Sequence, residues 1–188
     1  MTARRVVAAL TCAALLAGLA AGCGGGGGSA LSSAGRPALG AIHLSSGALG
    51  PKGLLPRRFT CDGAGRSPPL AWSGVPAAAR ELALVLEDMD APGGRFVHWT
   101  VWRLRPTVTR LGEGSAPTGA AQGRNDFGKM GYGPPCPPRG APPHHYLFTL
   151  YALRAPLGLA PGADPSTAIG AIARDQLASG ALRTYYGR

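Results

Sequence analysis

Lysine is nearly absent from this chain: of 19 basic residues only Lys52 and Lys129 are lysines, the others being arginine. Acidic residues are also few, nine in 188, which leaves a formal charge of +10. The basic excess is scattered. No block of five or six basic residues occurs, and no basic helix interleaved with aromatics, so the usual footprint of a nucleic-acid-binding domain is missing. Heptads and a Gly-X-Y period are missing too, which excludes coiled coil and collagen. There is no internal repeat. HExxH, GxSxG and His-x-His spacings do not occur, and with them go the common signatures of zinc peptidases and serine hydrolases. No apolar run reaches the ~20 residues that a bilayer-spanning helix requires.

Glycine and proline are plentiful, at 30 and 18 residues. Both are costly inside helices, which argues against a helical bundle. Hydrophobic content is 45%, enough for a core with many turns and short strands around it. Once a targeting segment is set aside, the length suits one domain.

The targeting segment is residues 1–22. Arg4 and Arg5 precede an apolar stretch from Val6 to Ala21, the layout of a secretory signal. It ends Leu19-Ala20-Ala21-Gly22-Cys23, which resembles a bacterial lipobox. That resemblance implies acylation of Cys23, cleavage just before it and anchoring on the extracytoplasmic side of a membrane. Ordinary secretion with a chance cysteine fits the same residues. Residues 23–41, rich in Gly and Ser, read as a flexible tether, and residues 42–188 as the folded domain. With Cys12 in the signal and Cys23 at the anchor, Cys61 and Cys136 remain. In an exported chain such an even pair is a candidate disulfide, provided the fold brings the two together.

The domain reads as strands followed by one helix. Glu81 to Asp88 is an unbroken apolar run of strand length, as expected of a strand buried on both faces. Phe96 to Leu104 alternates, and Tyr146 to Leu153 forms a third strand. Shorter strands are expected at 54–60 and around Leu70-Ala71-Trp72. Asp164-Pro165 opens a helix with a capping residue and proline at its first position; its spacing runs to Leu177, with Gly180 at the C-terminal cap.

Two polar features stand out. Asp88-Met89-Asp90-Ala91-Pro92-Gly93-Gly94 is a turn between two strong strands. A regular hairpin about it faces Asp88 with His98, where a carboxylate would fix the imidazole's tautomer or hold it charged. A capped turn beside an ordinarily satisfied histidine is the plainer alternative. The second feature is the loop Gly131–Gly140, with Gly133 and Cys136 in a Gly/Pro-rich setting, followed by His144-His145-Tyr146 entering a strand. Glycine permits close approach of an anion to the main chain. Alternation sends His144 and Tyr146 to one face. A solvated loop with surface histidines is again the plainer alternative.

Several motifs then follow one another in order: Phe59-Thr60-Cys61-Asp62-Gly63, Ser67-Pro68-Pro69-Leu70-Ala71-Trp72, Asp88-Met89-Asp90-Ala91-Pro92, His98-Trp99, Gly123-Arg124-Asn125-Asp126-Phe127-Gly128, Gly131–Gly140 and His144-His145-Tyr146. Together they closely resemble the phosphatidylethanolamine-binding protein family, in its bacterial Raf-kinase-inhibitor-like branch. The resemblance implies a mainly β, Greek-key fold of two antiparallel sheets with a C-terminal helix. It also implies a small pocket for phosphate or phospholipid headgroups, with pocket residues at Asp88, Asp90, His98, Gly133, His144 and Tyr146. The chain departs from the family pattern at Met89, His145, Asp175 and Arg103, the last standing where Asn is usual. The expected function is a membrane-anchored protein that binds a phosphate-type anion or phospholipid headgroup, without a cofactor and without nucleic acid. The alternative is an interaction module that inhibits a kinase or protease. A metal-assisted hydrolase using Asp88, Asp90, His98 and His144 is a third reading, and none of the metal-site spacings above supports it.

Overall fold

The computed structural model describes residues 40–188 apart from residue 117. The expected signal, Cys23 and all but the end of the expected tether lie outside the described residues. Nine strands and one α-helix follow in the order β1 (Gly40–Ala41), β2 (His43–Ser45), β3 (Leu70–Ser73), β4 (Glu81–Asp88), β5 (Phe96–Leu104), β6 (Arg110–Leu111), β7 (Ala121–Gln122), β8 (His144–Leu153), α1 (Pro165–Asp175) and β9 (Gln176–Tyr186). Six of the strands form one sheet in the order β1-β9-β8-β4-β5-β7, and β2-β3-β6 form a second. The fold is mainly β, as expected, and every pairing is antiparallel except the short edge pair β1 with β9.

β4 lies at the centre of the large sheet, and all eight of its residues are buried. Its even positions Leu82, Leu84 and Leu86 meet Phe148 and Leu150 of β8 and Leu44, Leu70 and Trp72 of the small sheet. Its odd positions Ala83 and Val85 pack with Trp102, Ala171 and Ile172 beneath α1. The unbroken apolar run in the sequence reflects this double cover, because a strand with both faces dry has no polar alternation to show. Each large side chain so buried contributes about 1.5–3 kcal/mol.

β5 departs from the regular hairpin. Leu82 faces Leu104, but two register shifts follow, and at the turn Glu87 faces Val97 and Asp88 faces Phe96. Asp88 is therefore not opposite His98. His98 is the extra residue of a bulge between the pairs Leu86–Trp99 and Glu87–Val97. The other bulge lies between Val101 and Leu104 and contains Arg103, at φ 60°, in the left-handed region that most side chains avoid. A strict period-two reading of β5 fails for this reason: Val97 and Trp102 share one core cluster while Trp99, Val101 and Leu104 share the other.

Three further expectations are corrected. Residues 54–60 do not form a strand: a 3₁₀ turn ends at Gly53, Leu54 makes a single bridge to Tyr185, and a second 3₁₀ turn covers Arg57–Phe59. The helix stops at Asp175, where Gln176 is already extended, and Asp164 stands at its N-cap without a side-chain capping bond. Gly180 is therefore no cap. It lies within β9, opposite Leu150, and any β-carbon there would collide with the Ile42 carbonyl. That close approach is where the chain crosses from β1 in the large sheet to β2 in the small one.

Candidate functional site

The end of β4 carries the even-position face past the last leucine to Asp88. On β8, Tyr146 is the direct partner of Asp88, and His144 is one step further along the same face. The bulge turns His98 toward them, since an extra residue re-aims the side chain it carries. All three polar residues are buried: Asp88 is 5% exposed, His98 2% and His144 7%. A cavity of about 190 Å³ opens beside them, lined by Asp88, His98 and His144 and walled by Phe96, Phe127, the turn at Ala91 and Pro92, and Cys136 to Pro138.

Each imidazole is held by its Nδ1. His144 Nδ1 lies 2.8 Å from Asp88 Oδ2, and His98 Nδ1 lies 2.8 Å from the Gly133 carbonyl. A carboxylate and a carbonyl can only accept, so both Nδ1 atoms donate and both Nε2 atoms are left for other partners. His98 Nε2 is 4.0 Å from Asp88 Oδ2. The carboxylate thus gives its hydrogen bond to His144, while His98, the partner that a regular hairpin implies, stays at ion-pair distance. Burial pushes the His98 pKa below the ordinary imidazole value, against the pull of the Gly133 carbonyl and of Asp88. The other oxygen of Asp88 accepts from the Asp90 amide at 2.9 Å, which closes the turn.

The remaining expected site residues take supporting positions. Asp90 is at the surface, where its Oδ2 accepts from the backbone and ring of His145 at 2.6 and 2.8 Å and ties the turn to β8. Gly133 donates its amide to the His98 carbonyl at 2.7 Å, so that amide is already engaged. Its missing side chain leaves room for the Phe127 ring, which a β-carbon there would strike. Tyr146 is fully buried behind the two imidazoles, edge-on to His98 with centroids 5.3 Å apart and stacked on His144. Its hydroxyl has no hydrogen-bond partner among the described residues, and burial beside Asp88 pushes its pKa far up, so it keeps its proton.

The walls were less visible in the sequence. Asn125, 3% exposed, organises the loop that carries Phe127: its Oδ1 accepts from the amides of Phe127 and Lys129, and its amide group donates to the Gly131 carbonyl. Asp126 accepts from the Val97 amide at 2.6 Å and holds β5 at the bulge. Cys61 and Cys136 form a disulfide with Cα atoms 5.4 Å apart. Phe127 and Cys136 also line a second cavity of about 240 Å³, with Tyr132 and Lys129 on its far side. Beside the disulfide, Asp62 accepts from the Tyr186 hydroxyl at 2.6 Å and from Arg188 Nε at 3.0 Å, which fastens the end of β9 to the loop of Cys61. The sequence gives no sign of such a latch, because its partners are 124 and 126 residues apart.

Among the described residues, no group of three or more His, Cys, Asp or Glu side chains is arranged to hold a metal ion. The cavity lining also offers no hydroxyl, thiol or amine, since Cys136 is disulfide-bonded. Chemically the arrangement is a small, mostly apolar chamber with two oriented imidazoles and one carboxylate at its base.

Known proteins resemble this chain over most of its folded part. Residues 45–187 match the profile of the family described as phosphatidylethanolamine-binding protein. A UPF0098 protein of Methanothermobacter thermautotrophicus is 41% identical over 78% of this chain and 99% of its own. LppC of Mycobacterium tuberculosis, whose name describes it as a lipoprotein, is 48% identical over 69% of this chain and 63% of its own. Among solved structures, Escherichia coli YbcL, described as a new member of the mammalian PEBP family, superposes with a TM-score of 0.74 at 32% identity, covering 78% of this chain and 98% of YbcL.

Proposed function

The chain belongs to the phosphatidylethanolamine-binding protein family, and from that premise we propose that it is a binding protein for a phosphate-type anion or a phospholipid headgroup. The observation that carries this reading is the pair of buried imidazoles, each anchored through Nδ1 and each presenting Nε2 at one chamber. An enclosed anion needs charge-assisted hydrogen bonds to offset its desolvation, and protonated imidazoles supply them. Affinity therefore rises as pH falls, and the gain from His98 comes below the ordinary histidine value of 6.5, because burial lowers its pKa. A chamber of about 190 Å³ accommodates a headgroup but not an acyl chain. We read the activity as binding; the lining sets no hydroxyl, thiol or amine beside the imidazoles. We also propose that Cys23 carries lipid and holds the domain outside the cell at a membrane, a reading supported by the lipobox-like Leu19-Ala20-Ala21-Gly22-Cys23 and by the name of the LppC relative.

Calorimetric titration of phosphate and of phosphoethanolamine, each with and without a chelator, tests the site. Saturable binding that survives the chelator supports it. Absence of binding, or binding abolished by the chelator, rejects it and favours the alternative of a protein-directed inhibitor.

A further inference from the structure

We propose that the end of the large sheet opposite the chamber is a docking face for an anionic lipid surface. Its arginines hold the domain against the membrane and turn the chamber away from it.

Five arginines meet at that end. Arg80 immediately precedes β4, Arg103 and Arg105 flank the last residue of β5, Arg154 immediately follows β8, and Arg174 is in the last turn of α1. Backbone bonds bring these segments together. The Arg80 amide donates to the Leu153 carbonyl and the Arg154 amide to the Asp175 carbonyl, each at 2.8 Å. Leu104, between Arg103 and Arg105, faces Leu82, two residues after Arg80. Adjacent strands lie about 4.8 Å apart, so β5, β4 and β8 crowd their arginines onto a narrow edge. Asp88 and the chamber lie at the other end of β4, roughly 23 Å away at the usual rise of a strand.

All five side chains are exposed. None has a carboxylate partner among the described residues; the arginines that do form ion pairs, Arg58, Arg95, Arg139 and Arg188, are on other segments. Two acids belong to this end. Glu81 is 6% exposed and accepts from the Leu157 amide, and Asp175 is half-buried where α1 stops. The edge thus keeps a positive excess that the protein does not neutralise. A cavity of about 250 Å³ is lined by Arg103, Arg105 and Thr118 and by no acidic residue. It offers a headgroup phosphate a seat beside two guanidinium groups, which bind such oxyanions in a planar fork.

The occupant follows from where the chain enters the domain, and this step rests on the anchor proposed at Cys23. Gly40 pairs with Ala178, and Ala178 faces Ala152, next to the end of β8. The connection toward Cys23 therefore departs from the arginine end. Residues 24–39 span at most about 55 Å, enough to let any face of the domain turn to the membrane, so the arginines select which face does. The exposed large apolar side chains among the described residues, Leu54, Met89, Phe127 and Met130, are all on other segments. The contact is then electrostatic adsorption without insertion, and it is screened by salt.

The test uses the Cys23→Ser chain, purified so that no attached lipid takes part, and sedimentation with vesicles of phosphatidylcholine alone or mixed with phosphatidylglycerol. Binding is expected to the mixed vesicles only, and to fade as salt is raised. An arginine near an anionic surface contributes on the order of 5-fold, so Arg80→Gln, Arg105→Gln, Arg154→Gln and Arg174→Gln together should lose ~100-fold or more. Arg57→Gln, Arg66→Gln, Arg124→Gln and Arg183→Gln together remove the same charge from exposed positions on other segments and should lose far less. Equal losses in the two quadruple variants overturn the proposal, since net charge and not this face would then govern adsorption. Equal binding to both kinds of vesicle overturns it too. Absence of binding overturns it and leaves an acidic protein as the partner of the face, while lipid attachment, read from the fractionation of Cys23→Ser, stands or falls separately. If the first quadruple variant does not fold, Arg80→Gln and Arg154→Gln taken singly carry the same contrast at about 5-fold each.

Discussion

His98 Nε2 stands 4.0 Å from Asp88 Oδ2 although the sheet does not pair these residues; Asp88 faces Phe96, and His98 is the inserted residue of a bulge. The insertion matters because a regular strand alternates, and alternation would not place His98 beside both Asp88 and Tyr146 while keeping Trp99 in the core between the sheets. The site therefore depends on a backbone irregularity as much as on the identity of its side chains.

His98→Ala and His144→Ala should each weaken phosphate binding by roughly 1.5–3 kcal/mol, the usual size of a hydrogen bond to a charged group. His145→Ala, whose ring bonds Asp90 at the surface, should change it by much less. Calorimetry on the three variants checks the contrast. Equal losses in all three would mean that the buried imidazoles do not contact the anion.

The lowered pKa of His98 sets a direction for stability. Its ring is neutral in the fold but takes up a proton in the unfolded chain below the ordinary value of 6.5. The unfolded state then binds more protons, so stability is fully present above that pH and declines as pH falls toward the folded-state value. Urea denaturation across this range should show the decline. His98→Gln should flatten it, and added phosphate should reduce it, since an anion in the chamber favours the charged ring. An unchanged slope in His98→Gln would assign the decline to other groups.

The Cys61–Cys136 bond closes a loop across 75 positions. Replacing both residues by Ser should cost roughly 2–4 kcal/mol of stability, as such crosslinks chiefly restrict the unfolded chain. Phosphate affinity should fall as well, because Cys136 to Pro138 form one wall of the chamber. Denaturation and titration of the double variant give both numbers.

Arg103 holds a left-handed conformation at φ 60°, which costs an ordinary L-residue about 1–2 kcal/mol and Asn or Gly less. Its guanidinium donates to the Leu159 carbonyl at 2.8 Å and recovers part of that cost. Melting temperatures should rank Arg103→Asn above wild type and wild type above Arg103→Val. The reverse order would show that the contact with Leu159 outweighs the backbone.

Cys23→Ser should move the protein from the membrane fraction to the soluble exported fraction. An unchanged distribution would reject lipid attachment at this residue.

The central strands were legible because doubly buried strands advertise themselves: Glu81 to Asp88 can be little else. β9 was not. Its Ala178, Ser179, Gly180 and Ala181 are small, since the chain crosses close above them at Ile42, and small residues carry neither period. The helical spacing that precedes them simply ran on too far. The two bulges of β5 were also invisible, because an inserted residue changes the count without changing the composition. The polar residues of the site stand out in the sequence as a turn and a Gly/Pro-rich loop, but a hairpin drawn without bulges joins Asp88 to His98, whereas Asp88 lies opposite Tyr146 of β8 and bonds His144, two residues away on the same face. The shaping of the chamber by Asn125 and Phe127 depends on loop hydrogen bonds that no periodicity reports.

The crossing at Ile42 also orders events in time. Gly40 and Ala41 pair only with Ala178 and Ser179, and β8, the neighbour of β4, has β9 as its other partner. The first strand of the domain thus waits for the last, and the large sheet is incomplete until β9 is present. Joining such distant segments carries a large loop-closure entropy before any contact compensates it, so folding should be slow by the standard of small domains. A chain that stays open until its C-terminal strand is available is also one that can be threaded through a narrow passage first and acquire its crosslink afterwards.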